Sequence, residues 1–271
     1  MPVSANNSVV VGNVSKALLC GFCLVSFIMP GYARPRIKIK TAAAADEEDK
    51  PGWSGTFSFG LKSITGNTNT GSGNADLSLV YDPQTNWKHT IAGSADYGER
   101  AAGRGRKKTE MQNASTATYK AEYALNPKDT LIGYVGYESD KIAGLDSEYS
   151  AGAAYSRKFI QNKRNKLSAS LGAAYISRDY NDGTDGLDET AGRFAVDYKG
   201  KITDSISISE RIVVLAGNSF TTSRAKTDLK YAITDKVGVV LKHEVTHNTY
   251  IPLSAIDKTD STTKLNLEID F

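Results

Sequence analysis

Cysteine is almost missing from this chain, and the two that occur, Cys20 and Cys23, both lie in one N-terminal apolar run. The remainder offers no disulfide, no thiolate metal site and no cysteine nucleophile, which suits passage through an oxidising compartment. Histidine is nearly as scarce: His89, His243 and His247 are the only three, so few imidazoles are available as a catalytic base or metal ligand. Long apolar runs are also lacking. No stretch reaches the roughly 20 residues that a membrane-crossing helix needs, and mean hydropathy is −0.36. That is too hydrophilic for a helical membrane protein of this size. It suits a barrel, in which half of each crossing strand faces water. A net charge of only +3 gives no bulk attraction for nucleic acid, and none is expected as a partner.

What is present is alternation. At the C-terminus Thr263, Leu265, Leu267, Ile269 and Phe271 fall on one side, and Thr262, Lys264, Asn266, Glu268 and Asp270 on the other. Successive strand side chains point to opposite faces, so this is a strand with one apolar and one charged face. An aromatic last residue on such a strand is the pattern of the closing strand of a bacterial outer-membrane barrel, and Phe271 is expected to serve as the signal for the barrel-assembly machinery.

Residues 1–33 read as a secretory signal peptide. Lys16 is the positive residue, an apolar stretch spans residues 17–29, and Gly31-Tyr32-Ala33 is a small-x-small cleavage site. Residues 34–52 carry a basic patch, an alanine run, an acidic run and a Pro-Gly break, and read as a flexible periplasmic linker. Residues 53–271 are expected to form the barrel.

Within that region, segments of about ten residues alternate in polarity between turn residues. Trp53, Phe57, Phe59 and Leu61 share one face of a first strand, and residues 65–71 read as a polar loop. Asp82-Pro83, Asn126-Pro127, residues 161–165, Thr203-Asp204 and Thr234-Asp235 mark tight turns. The glycine- and aspartate-rich connections are longer. The ninth segment departs from the rule: Ile206 and Ile208 are followed by Glu210, which predicts a bulge. The expected fold is an all-β, transmembrane, antiparallel up-and-down barrel of about twelve strands. Even parity puts both termini on the periplasmic side. Tyr81, Trp87, Tyr123, Tyr155, Phe159, Tyr198, Tyr231 and Phe271 flank the tight turns, while Tyr97, Tyr137, Tyr149, Tyr175 and Tyr250 lie towards the longer loops. Two girdles at two interfaces account for this distribution.

The stretch Trp53-Ser54-Gly55-Thr56-Phe57-Ser58-Phe59-Gly60, the loop Thr65-Gly66-Asn67-Thr68-Asn69-Thr70 and the tripeptide Trp87-Lys88-His89 resemble the YdiY-like family of salt-induced outer-membrane proteins. The resemblance extends over residues 53–271. It implies a barrel in the outer membrane. It transfers no catalytic or ligand residue, because the family is defined largely as a domain of unknown function.

The expected inward set is the most informative. Lys62, Asp76, Asp96, Lys120, Glu122, Glu138, Arg178, Arg193, Asp197, Arg224, Lys226, Asp228, Lys242, Glu244, Lys264 and Glu268 all fall on lumen-facing positions, with both signs interspersed. Eight strands give a filled interior and sixteen to eighteen an open channel. At about twelve, a narrow pore and a lumen closed by crossing ion pairs both fit. Arg100, Arg104, Arg106, Lys107 and Lys108 cluster on an expected external loop, where lipopolysaccharide phosphates are suitable partners. The three histidines share strand faces with Ile91 and Leu241, and no serine stands in a nucleophile motif, so a lipid hydrolase is the least favoured reading. Residues 181–188 have a calcium-loop flavour. They place Gly183 where a ligand belongs, so they read as an ordinary turn and no metal or cofactor is expected. The expected function is a narrow non-selective channel or an osmotic or envelope-stress protein. The alternative is a closed structural or adhesive barrel acting through its loops.

Overall fold

The computed structural model describes residues 52–64, 69–101, 107–181, 183–250 and 258–271. The expected signal peptide, the linker up to residue 51, Arg104 and Arg106 lie outside the described residues. Twelve strands follow in order: β1 (Gly52–Ile64), β2 (Asn69–Asp82), β3 (Trp87–Ala101), β4 (Lys108–Ala124), β5 (Asp129–Asp140), β6 (Leu145–Gln161), β7 (Asn165–Tyr180), β8 (Leu187–Lys201), β9 (Ile206–Ala216), β10 (Thr221–Ala232), β11 (Val237–Asn248) and β12 (Thr259–Asp270). Each pairs antiparallel with its chain neighbours, and β1 pairs with β12 to close the barrel. Two boundaries differ from expectation. Gly52 belongs to β1 rather than to the linker, and Asn69, Thr70 and Gly71 extend β2 rather than the loop, because they find register partners in β1 or β3.

The tight turns share one device. At its first or second residue a short polar side chain accepts hydrogen bonds from backbone N–H groups further on, the reason Asx and Ser/Thr are favoured there. Asn126 Oδ1 accepts from the amides of Lys128 and Asp129, both at 2.9 Å. Asn162 Oδ1 does the same for Arg164 and Asn165 at 2.9 and 2.7 Å. Thr203 and Thr234 repeat the pattern with Ile206 and Val237, each at 3.0 Å. Asp82 caps the amide of Gln84 at 3.0 Å, and Gln84 takes the left-handed conformation that the turn needs, at φ 58°. One end of the barrel is therefore a ring of self-satisfied short turns.

The burial pattern is inverted relative to a soluble protein. Leu61, Leu171 and Leu265 are 85%, 67% and 66% exposed on the outside. The buried side chains are mostly small or polar and point inward, among them Ser58, Ala154, Ala174, Ala191, Ala195 and Asn266, with Ile176, Val240 and Phe220 as larger apolar members. An apolar exterior around a polar interior is the arrangement a bilayer demands. Aromatic pairs mark both rims: Trp53 with Tyr81 at 5.0 Å and Trp87 with Tyr123 at 4.9 Å near the turns, Tyr137 with Tyr149 at 5.3 Å near the loops.

The bulge expected in β9 does not occur. β9 keeps one register with β8 and with β10 throughout. Ile206, Ile208, Ile212 and Val214 are all outward, and the alternation is masked because inward Val213 and Leu215 are apolar too, Leu215 packing inside the barrel. Glu210 is simply an outward acid. Register shifts occur instead at Gly98/Glu99 between β3 and β4, at Glu138/Asp140 between β5 and β6, and at Leu145/Ser147 and Lys158/Ile160 between β6 and β7.

The closing seam is short. The β1–β12 ladder runs only from Thr56↔Asp270 to Phe59↔Leu267, whereas β1 pairs with β2 along its entire length. Phe271 adds two backbone bonds to Gly55, at 3.0 and 2.7 Å, beyond the end of β12.

Candidate functional site: the charge-lined lumen

Register fixes which side chains share the interior. Asp76 of β2, Asp96 of β3, Lys120 and Glu122 of β4 and Glu138 of β5 lie on the inward face. So do Arg178 of β7, Arg193 and Asp197 of β8, Arg224, Lys226 and Asp228 of β10, Lys242 and Glu244 of β11, and Lys264 and Glu268 of β12. Lys62 occupies a β1 position opposite Ser72, and its side chain lies outside the described residues.

The longest reach belongs to Arg224. Its guanidinium makes a bidentate pair with Glu138, Nη1 to Oε2 at 3.0 Å and Nη2 to Oε1 at 2.7 Å. β10 and β5 are five strands apart on the ring, close to diametrically opposed, so this pair is a bar across the lumen. The same guanidinium uses Nε towards Glu244 and Thr246, each at 3.3 Å, and Lys226 Nζ meets Glu244 at 3.0 Å. A planar fork holds one carboxylate bidentately while its Nε serves a second, a geometry an ammonium group cannot reproduce. Both partners of the bar keep 26% of their side-chain surface uncovered by protein, so open space adjoins the bar inside the lumen.

A second cluster spans the seam. Asp76 Oδ2 accepts from Ser58 Oγ at 2.9 Å, Lys242 Nζ at 2.9 Å and Asn266 Nδ2 at 3.2 Å. The four residues come from β2, β1, β11 and β12, neighbours on the ring, so one carboxylate ties together the strands on either side of the join. Lys264 of β12 likewise reaches Asp96 of β3 at 2.6 Å. These ties sit where the backbone ladder of the seam runs out.

The opposite flank is packed. Ile176 and Ala191 are 0% exposed, and Ala174 and Phe220 join them in one cluster against Tyr134, Leu187 and Leu215. Arg178 bridges this flank to the polar network. It lies 4.1 Å above the Phe220 ring, pairs with Glu148 at 2.5 Å and donates to Thr222 at 3.3 Å. Arg193 stacks over the Tyr134 ring at 5.2 Å. The lumen is thus asymmetric: charges continue around its circumference, and along β7–β9 an apolar cluster fills part of it as well.

The remaining inward charges are mostly balanced locally. Arg211 pairs with Asp197 at 3.3 Å, Lys120 with Glu122 at 3.0 Å, and Lys230 with Glu268 and Asp270 at 2.8 and 2.5 Å. Asp228 lies opposite Lys242 in the ladder. Arg211, Lys230, Glu148, Ser58, Tyr134 and Phe220 were not singled out by sequence pattern, which marks Asn266 only as one of the polar-face positions of the last strand. Even spacing from Lys226 and Asp228 already put Lys230 on the inward face, whereas Ser58 and Phe220 carry no charge to signal a role.

The other candidates lie elsewhere. Arg100 is the penultimate residue of β3, Lys107 is exposed in the following loop, and Lys108 is ion-paired to Glu99. All three histidines are on the outer wall, where His89 bonds Tyr119 at 2.9 Å, His243 bonds Thr263 at 2.9 Å and His247 bonds Thr259 at 2.8 Å.

A closed antiparallel barrel, apolar outside and ion-paired inside, is a transmembrane β-barrel of the kind found in outer-membrane porins. The chain belongs to the family described as "Protein of unknown function, DUF481", whose profile matches residues 57–271. It is 25% identical over 220 residues to "Uncharacterized protein YdiY" of Escherichia coli (strain K12), covering 80% of this chain and 83% of that one. The expected membership of the YdiY-like family therefore holds. Among solved structures the barrel is similar to the NanC porin, with a TM-score of 0.50 and 8% identity, over 80% of this chain and 98% of that one. It is also similar to the COG4313 outer membrane channel from Pseudomonas putida F1, with a TM-score of 0.48 and 12% identity, over 83% of this chain and 98% of that one. At such identities the likeness is one of fold.

Proposed function

We propose that the protein is a bacterial outer-membrane barrel that provides a narrow, weakly selective path for small solutes, with the Arg224–Glu138 pair as its constriction. The open space beside the bar is the observation that carries this reading. A close-packed plug would cover both side chains, and these two leave about a quarter of their surface uncovered. Both signs line the path, and selectivity follows from rings of one sign, so small anions and cations pass with little discrimination. In this setting the capped turns face the periplasm and the longer loops face outward. Arg100 and Lys107 then meet lipopolysaccharide phosphates, while Lys108 is engaged by Glu99. The reading is one of passage rather than catalysis: the outer-wall histidines bond Tyr119, Thr263 and Thr259, and none is hydrogen-bonded to a serine among the described residues.

A second reading, a closed structural barrel, is favoured by the flank at Ile176, Ala191 and Phe220, which fills part of the lumen with apolar atoms. Conductance in planar bilayers separates the two. The parent should give small, weakly selective events. Arg224→Gln with Glu138→Gln should enlarge them, and replacing Lys120, Lys226, Lys242 and Lys264 by Gln should move the reversal potential towards cation selectivity. Silence in the parent and in every variant defeats the channel reading and leaves the closed barrel.

A further inference from the structure

The acid that interrupts the outward apolar phase of β9 does not stand alone. Glu210 lies between Tyr198 of β8 and Thr227 of β10; Thr227 lies opposite His243 of β11, and His243 opposite Thr263 of β12. These positions share the outward face with Leu229, Leu241 and Leu265, so the five side chains form one transverse row on the outer wall. The row is internally bonded. Thr227 Oγ1 donates to Glu210 Oε2, and His243 Nδ1 and Thr263 Oγ1 are 2.9 Å apart. Glu210 Oε1 is shielded and, among the described residues, has no hydrogen-bond partner.

Its height makes the row unusual. Thr227 and His243 fall in the middle of β10 and β11, between an apolar row of Ile208, Leu229, Leu241 and Leu265 and a row of Ile212, Ala225, Val245 and Ser261. The row is inclined, with Tyr198 near the turn end of β8, and mid-strand Thr227 and His243 lie within the membrane in a barrel of this kind. Ionisable side chains at that depth are costly towards lipid and ordinarily face protein. Lipid gives a row of acid, hydroxyls and imidazole no polar partner, whereas a facing protein wall does.

We propose that this wall, β9–β12, is a self-association face covered in the membrane by the same face of a second copy. The row is its own complement. Its acid and its imidazole lie on strands either side of Thr227, about 10 Å apart at the usual strand spacing. A two-fold axis along the membrane normal near Thr227 turns the Glu210 side of each copy towards the His243 side of the other, an isologous contact. The small outward residues Ser223, Ala225 and Ser261 let two walls approach closely, as small residues do between membrane helices. This inference is independent of whether the lumen conducts.

Cysteine cross-linking tests it. In the full chain carrying Cys20→Ala and Cys23→Ala, Thr227→Cys or Ala225→Cys should give a disulfide-linked homodimer on oxidation in native membranes. Leu171→Cys, on the β7 outer wall, should give none. Adding Glu210→Leu and His243→Leu, which suit a lipid-facing wall and leave the barrel folded, should lower the Ala225→Cys cross-link at least five-fold. Native mass spectrometry of the unsubstituted protein released from lipid should show twice the monomer mass. The proposal is overturned if Leu171→Cys cross-links as well as Ala225→Cys. It is equally overturned if the row reporters cross-link only to a different protein, or stay monomeric alongside a monomeric parent mass.

Discussion

Phe271 sits in the place a side chain at position 55 would need. A Cβ built on Gly55 would lie 2.8 and 2.9 Å from two atoms of the Phe271 ring and 2.9 Å from the carbonyl oxygen of Ser78. The two residues also exchange both backbone hydrogen bonds, so the last residue of the chain finishes the ladder that β12 begins. The glycine is what lets the terminal aromatic lie flat against β1.

Gly55→Val should therefore weaken closure. Overpacking of this kind costs about 1–3 kcal/mol, and deleting Phe271 removes two hydrogen bonds at about 1 kcal/mol each. Loss of heat-modifiable mobility on gels and a lower urea midpoint are the readouts. A Gly55→Val barrel with parental stability would show that the ring has room to move aside.

The lumen bar should behave as a coupled pair. Arg224→Gln leaves Glu138 and Glu244 without their shared cation and should destabilise by roughly 2 kcal/mol, the scale for an unsatisfied charged group that keeps some solvent. Glu138→Gln should cost less, because Glu244 still holds the guanidinium. The double variant should lose less than the two single losses combined, with a coupling energy of about 1 kcal/mol in a double-mutant cycle of urea unfolding. Additive losses would mean that the bar contributes nothing as a pair.

Face assignment on β12 can be read by charge. Leu265→Arg places a cation on the outer wall and should cost roughly 2–4 kcal/mol if it lies near the midplane. Thr262→Arg points inward opposite Glu244 and should be mild. Protease resistance of the folded barrel compares the two. Equal loss in both would contradict the inward and outward faces of the closing strand.

The seam should exchange first. Above Phe59↔Leu267 the β1–β12 ladder has no further rungs, and amides without a ladder partner open at low free energy. Hydrogen exchange in a lipid environment should show the amides of residues 60–64 that point towards β12 losing protection well before those of β7, which is paired along its length on both sides. Uniform protection around the ring would show that the seam is closed by other means.

Most of the architecture was legible because a membrane barrel writes it twice, in alternation and in turn chemistry. Leu265, Leu267 and Ile269 opposite Lys264, Asn266 and Glu268 required a strand with two solvents. Asn126, Asn162 and Thr203 required the turns that cap themselves. Glu210 misled, because one acid among isoleucines looks the same whether the strand bulges or a polar group faces outward. Asn266 reads as an ordinary wet lumen position, yet it is 1% exposed, wedged between Ser58 and Asp76 by ring closure. Arg224 could be placed inside, but not matched to Glu138 across 86 residues of sequence, because that partnership is set by the ring and not by any local pattern.

The short seam also dictates an order of events. Every other strand pair joins neighbours in sequence and can zip as a hairpin, whereas Phe57 must find Ile269. Closing a loop of that length costs about 5 kcal/mol in chain entropy, set against a few rungs, the Asp76 knot and the Phe271 clasp. The sheet can therefore be complete and twisted while its two margins are still apart. Nascent chains should accumulate as open, hairpin-by-hairpin intermediates until Phe271 is delivered. Loss of either edge strand would leave two raw sheet margins in the bilayer, and that is why the ends of this chain carry more of its fate than the middle.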